Sequence, residues 1–188
     1  MLFARAATTA LVAAVGMLAA DLPRPAPELA IKMVGGAETH ISQYKGKVVA
    51  LEFALTTCAY CQRTAMALNK MNQEFGPRGF QPLVMAINEM AHMFVPDFIK
   101  QFGLTFPVGY GQRETAVGFL QHPVILQLLM PQLVFIDRKG VIRAQYGGGD
   151  AFYKDEEKNM REMIVSLLKE PSGAPAAKAK PTPAKKAS

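Results

Sequence analysis

Apolar residues in this chain fall alternately into short continuous runs and into stripes spaced three or four apart. The stretch Lys47–Phe53, with VVALEF after its lysine, and the stretch Gln81–Asn88 (QPLVMAIN) have the length and density of buried strands. Between them, Cys58–Phe75 spaces Ala65, Leu68, Met71 and Phe75 as one face of a helix, and Gly76-Pro77 ends it. Ile31–Val34 predicts a short strand turned by Gly35-Gly36, and Val95–Phe102 and Glu114–Leu120 predict short helices, the first closed by Gly103. Gln132–Asp137 (QLVFID), the turn Arg138-Lys139-Gly140 and Val141–Tyr146 (VIRAQY) predict a β-hairpin. Lys154–Glu170 then places Met160, Ile164, Leu167 and Leu168 on one helix face, with Pro171 as its stop. Strand, helix, strand, helix, hairpin and final helix is an α/β plan with a parallel crossover first and antiparallel strands last.

Both ends depart from this pattern. Residues 1–20 set Arg5 ahead of an apolar stretch, Ala6–Ala20, broken by Asp21 and Pro23, which predicts a secretory signal peptide or an N-terminal anchor. The cleavage position is imperfect, since cutting after Ala19 or Ala20 puts Met17 or Leu18 where a small residue is preferred. Residues 171–188 have almost no large apolar side chain and predict a disordered Ala/Pro/Lys-rich tail. One domain is expected over 21–170.

Charge sharpens this division. Of the net charge of +6, Lys178, Lys180, Lys185, Lys186 and Arg5 supply five, which leaves a body one charge from neutral. That is not the footprint of a nucleic-acid surface. No apolar run reaches the length that would suggest a multi-pass membrane protein. Membrane contact is expected only through residues 1–20, and the location is expected to be periplasmic or otherwise extracytoplasmic.

The two cysteines of the chain stand together as Cys58-Ala59-Tyr60-Cys61. A purely structural disulfide across so short a loop removes little unfolded-state entropy. A tetrahedral metal site needs more ligands than two thiolates, and no second cysteine pair exists. The third reading is a redox pair. Cys58 would open a helix directly after a strand, where backbone N–H groups and the helix dipole favour negative charge, and one turn brings Cys61 beside it. Cys-x-x-Cys in that context reads as redox chemistry.

Three stretches carry a family resemblance over roughly residues 26–170: ISQYKGKVVALEF (Ile41–Phe53), TTCAYC (Thr56–Cys61) and MPQLVFIDRKGVI (Met130–Ile142). Together they resemble the TlpA/ResA-like group of exported thiol–disulfide oxidoreductases. The resemblance implies a thioredoxin-like fold: a central mixed β-sheet flanked by helices, with a C-terminal hairpin and helix. It also implies a cis-proline at Pro131 facing the cysteines, which leaves the backbone of Met130 free to pair with a partner peptide. Thr57 and Tyr60 are assigned with Met130 to the partner-binding surface. Thr57 replaces the family's usual Trp, and the aromatic Tyr60 resembles disulfide isomerases and oxidases. The activity implied is disulfide exchange with protein thiol or disulfide substrates and an upstream redox partner, by a monomer that needs no cofactor and no metal.

Glu52, inside the apolar run before Cys58, resembles the buried carboxylate of thioredoxins. Burial raises a carboxyl pKa, and such a group is suited to relay protons to Cys61. Glu89 lies near another acidic position of the family, but a solvated loop is the expectation there. Gln121–Met130 (QHPVILQLLM) is longer and more apolar than the family's approach to the proline. It is expected to be a buried helix, with an exposed lip gripping partner chains as the other reading. A peroxiredoxin is disfavoured, because Leu55 stands where the peroxidatic motif needs Thr or Ser. The remaining alternative is a copper-handling binding protein joining the thiols to Met90, His92 and Met93.

Overall fold

The computed structural model describes residues 21–171. The segment read as a signal or anchor, and the tail apart from Pro171, lie outside the described residues. Strands β1 (Arg24–Pro25), β2 (Ala30–Met33), β3 (Glu38–His40), β4 (Val48–Ala54), β5 (Phe80–Ala86), β6 (Val108–Tyr110), β7 (Gln132–Ile136) and β8 (Val141–Gly147) form one sheet in the order β1-β8-β7-β4-β5-β6-β2-β3. Four helices accompany it: α1 (Ala59–Phe75), α2 (Ala91–Phe102), α3 (Arg113–Leu120) and α4 (Glu156–Lys169).

The sheet is mixed for the reason the sequence suggests. A helical crossover through α1 joins β4 and β5 in parallel, whereas β7 and β8 follow one another through a tight turn and are antiparallel. Every residue of β4 is buried, as a central strand covered on both faces requires. Successive side chains alternate between faces. Val48, Ala50 and Ala54 enter the core beneath α1, α2 and α4, while Val49, Leu51 and Phe53 enter the opposite core beneath α3. Glu52 has the parity of the first set, so its carboxyl is directed to the side where α1 and α4 pack. Antiparallel pairing sets Phe53 against Gln132, which brings the start of β7 beside the end of β4. The loop bearing Cys58 and the Met130-Pro131 peptide therefore share one end of the sheet.

Several local expectations are corrected. β1, β3 and β6 were not anticipated; they are two or three residues long, too short for a periodic signal. α2 starts at Ala91, four residues before the expected Val95, and holds Pro96 inside it rather than in its first turn. The last helix is split: a 3-10 turn, Ala151–Asp155, precedes α4.

The larger correction concerns residues 121–130, which form no helix. Gln121 closes α3 in the left-handed conformation (φ 51°), with its N–H on the carbonyls of Val117 and Gly118. Pro123 stands two residues on and, having no N–H, cannot continue α3. The chain bends instead, with the Leu126 N–H on the Pro123 carbonyl at 3.0 Å. Leu128 is buried, but Val124 and Ile125 are 87% and 82% exposed, and Leu126 and Leu129 are also exposed. The segment is an apolar lip leading into Met130. Among the described residues no helix is long and apolar enough to cross a membrane.

Candidate active site

Cys58 caps α1 in an extended conformation, and its Sγ accepts the Cys61 N–H at 3.5 Å. One residue serves both cysteines: the Leu55 carbonyl accepts the Cys58 N–H at 3.0 Å, and the Leu55 N–H donates to Cys61 Sγ at 3.5 Å. Both are free thiols. Cys58 is half-buried and Cys61 fully buried, because the helix carries the first residue to its rim and turns the fourth inward. Burial, and next the charge of Glu52, push the Cys61 thiol far above its ordinary pKa. Thr57 and Tyr60 are exposed on either side of this rim, and the Arg63 guanidinium lies over the Tyr60 ring at 5.0 Å.

The loop before Cys58 is tied down. Asn88 Oδ1 accepts from the Thr56 N–H at 3.0 Å and from its hydroxyl at 3.3 Å, and Gln62 Nε2 donates to the Thr56 carbonyl at 2.9 Å. These bonds couple the end of β4 to the end of β5 and to the first turn of α1.

Glu52 is completely buried, and neither carboxyl oxygen meets a hydrogen-bond donor among the described residues. Leaving a buried polar group unpaired costs roughly 1–3 kcal/mol, more if it is charged. The charged form is disfavoured: burial foremost, then the charges of Glu156 and Cys58, raise its pKa well above the ordinary carboxyl value.

Met130-Pro131 is a cis peptide, with Pro131 buried and Met130 half-buried. Its surroundings explain its position. The Leu129 carbonyl accepts from Gln132 Nε2 at 2.6 Å and from the Gly148 N–H at 3.1 Å. Gly148 packs so closely that a Cβ there would fall 2.2 Å from the Met130 oxygen, so no other residue fits. The Tyr153 hydroxyl reaches the carbonyls of Pro131 at 3.4 Å and Tyr146 at 3.2 Å. Burial, followed by the charge of Glu52, raises the Tyr153 pKa, which keeps this hydroxyl a donor.

Sequence reasoning missed Asn88, Gln62, Gly148, Tyr153 and Glu156. Only Gly148, within the run Gly147-Gly148-Gly149, left a visible signal of close backbone approach. Glu89 is exposed, in the solvated loop expected of it. Met90 and Met93 are exposed around the start of α2, and the His92 ring sits 5.9 Å from that of Tyr110. Among the described residues no three His, Cys, Asp or Glu side chains are grouped to hold a metal ion.

The sheet order and the distribution of helices over both faces define a thioredoxin-like α/β fold. The chain belongs to the Redoxin family, whose profile matches residues 23–164. It is 26% identical over 118 residues to the thiol-disulfide oxidoreductase ResA of Geobacillus kaustophilus (strain HTA426), covering 63% of this chain and 64% of that protein. To ResA of Geobacillus thermodenitrificans (strain NG80-2) it is 29% identical over 119 residues, again covering 63% and 64%. It thus spans a little under two thirds of the length of these curated relatives. A thiol:disulfide interchange protein of the thioredoxin family from Chlorobium tepidum TLS superposes with a TM-score of 0.66 at 22% identity, over 80% of this chain and 99% of that one. A secreted thiol-disulfide isomerase from Corynebacterium glutamicum superposes with a TM-score of 0.67 at 17% identity, over 87% and 99%. At these identities the two structures share the fold.

Proposed function

We propose that this protein is a thiol–disulfide oxidoreductase that exchanges disulfides with protein partners outside the cytoplasm, through Cys58 and Cys61. The observation that carries the reading is the graded exposure of the two thiols: one half-buried at a helix N-terminus, the other buried one turn on, with a buried acid on its side of the sheet. The names of the curated relatives support the same chemistry.

In the reducing direction, the Cys58 thiolate attacks one sulfur of a partner disulfide. A mixed disulfide forms, and the other partner sulfur leaves and takes a proton. Cys61 then gives its proton to ionised Glu52 and attacks Cys58 Sγ. The Cys58–Cys61 disulfide forms as the Cys58–partner bond breaks, the released partner sulfur takes a proton, and the partner departs as a dithiol, reduced by two electrons. The same steps reversed oxidise a dithiol. Met130 presents its backbone to the partner segment, Pro131 fixes that edge, and Thr57 and Tyr60 border it. The lip at Val124, Ile125, Leu126 and Leu129 extends the partner surface. Residues 115–136 contain no Asp, Glu, Lys or Arg, so this surface selects apolar rather than charged segments.

The test is the dithiothreitol-driven reduction of insulin. The protein is expected to accelerate it, with a rate nearly independent of salt between low and physiological ionic strength, since an uncharged contact is not screened. No acceleration contradicts the activity, and a steep fall with salt contradicts the apolar partner surface.

A further inference from the structure

Behind the thiols lies a second buried carboxylate. Glu156, at the first position of α4, is 7% exposed. Its Oε1 accepts from the Thr64 hydroxyl in a short hydrogen bond, and its Oε2 meets Arg63 Nε at 3.0 Å. Thr64 and Arg63 belong to α1, one turn or less beyond Cys61, so this carboxylate is tied to the helix that carries both cysteines. We infer that Glu156 is a positioning residue, fixed by Arg63 and Thr64 so that it acts through Glu52 on the proton transfer at Cys61. The inference rests on the proposed role of Glu52.

Glu52 is directed to the side of β4 where α1 and α4 pack. The titratable groups that act on it there come from α1 (Cys58 and Cys61), from the 3-10 turn (Tyr153) and from α4 (Glu156). Its register neighbours Val84 on β5 and Leu133 on β7 are apolar. Arg63 is joined to this set through its ion pair with Glu156. The Arg63 side chain is 49% exposed and that of Glu156 only 6%, so water screens the positive member of the pair far more than the negative one. The pair does not cancel from within, and a net negative field remains on the Glu52 side. That field makes Glu52 a stronger base toward the buried Cys61 thiol than burial alone would. Arg63, stacked over Tyr60, also links this charge to the residue between the cysteines.

Glu156 could instead serve only to join α4 to α1. The two roles separate in the pH dependence of the resolving step. Thionitrobenzoate is loaded on Cys58 as a mixed disulfide, and its release is followed. Cys61 loses its proton to Glu52, its sulfur attacks Cys58 Sγ, and thionitrobenzoate leaves as the thiolate.

In Glu156→Gln the midpoint of the rate profile should fall by about one pH unit, a roughly tenfold change in Glu52 protonation at fixed pH. In Arg63→Gln, at a half-exposed site, the midpoint should rise. Opposite signs are not expected from a loosened helix contact. Adding Glu156→Gln to Glu52→Gln should move nothing.

Superimposable wild-type and Glu156→Gln profiles would overturn the inference while leaving the Glu52 reading standing. So would a Glu156→Gln shift that persists unchanged in the Glu52→Gln background. A Glu52→Gln profile identical to wild type would overturn the Glu52 reading itself, and the inference with it. Should Glu156→Gln fail to fold, a profile for Arg63→Gln that does not move upward is sufficient to overturn it.

Discussion

Cys61→Ser is expected to accumulate mixed disulfides with protein partners, whereas Cys58→Ser accumulates none and loses disulfide exchange by more than about a thousandfold. The reason is the exposure of the two thiols. Cys58 stands half-buried at the cap of α1, within reach of another chain, and Cys61 is fully buried with its thiol held protonated. Nucleophilic attack needs a thiolate with access to the partner sulfur, and Cys58 alone has that access. Once Cys58 is linked, only Cys61 can release the partner, so serine at 61 leaves the intermediate with no exit. At neutral pH iodoacetamide should modify Cys58 at least about a hundredfold faster than Cys61. Trapping by Cys58→Ser, or equal alkylation of the two cysteines, would reverse the assigned roles.

Glu52→Gln is expected to slow release by Cys61, to leave mixed-disulfide formation by Cys58 less affected, and to stabilise the protein at neutral pH. Glu52 is buried with no donor among the described residues, and its pKa is raised well above the ordinary carboxyl range, chiefly by burial. A raised folded-state pKa means that folding favours the protonated form. The stability so contributed is complete below the unfolded value of about 4.3 and is lost as pH rises through the folded value. Within that window the loss is about 1.4 kcal/mol per pH unit, and above it the penalty is constant. Glutamine has no proton to lose, so denaturant melts of the oxidised variant should not show this decline. Between pH 4 and 8 the gap between variant and wild type should widen by as much as that slope allows. Parallel stability curves together with equal release rates would show that Glu52 is neither strained by ionisation nor the relay.

The central strands and the position of the thiols could be read from the sequence because each depends on neighbours in the chain. VVALEF is a buried strand by composition, and its period of two puts Glu52 on the side of α1 and α4. Cys58 follows that strand and opens the helical stripe, so its place at the cap was legible too. Residues 121–130 misled because apolar composition reports a preference for burial, not the space available for it. α3 ends at the left-handed Gln121 ahead of Pro123, and of residues 121–130 only Leu128 is buried, with Val124 and Ile125 left exposed.

Glu156 and Tyr153 were invisible for a different reason. The Thr64–Glu156 bond joins residues 92 positions apart, and the Tyr153 hydroxyl meets Pro131 across 22. Nothing local in Tyr153-Lys154-Asp155-Glu156 distinguishes these side chains from an ordinary polar helix start. The expected start of α2 at Val95 lies four residues late: the helix begins at Ala91 and carries Pro96 in its interior.

The central claim, a reversible redox pair of Cys58 and Cys61, is tested most directly by equilibrium titration with reduced and oxidised glutathione, with quenching and mass analysis of both cysteines. The predicted result is a single two-electron transition, about 30 mV per tenfold change in the equilibrium constant, in which Cys58 and Cys61 disappear together into one intramolecular disulfide. Independent oxidation of the two cysteines, or glutathione remaining on Cys58 while Cys61 stays a free thiol, would contradict it.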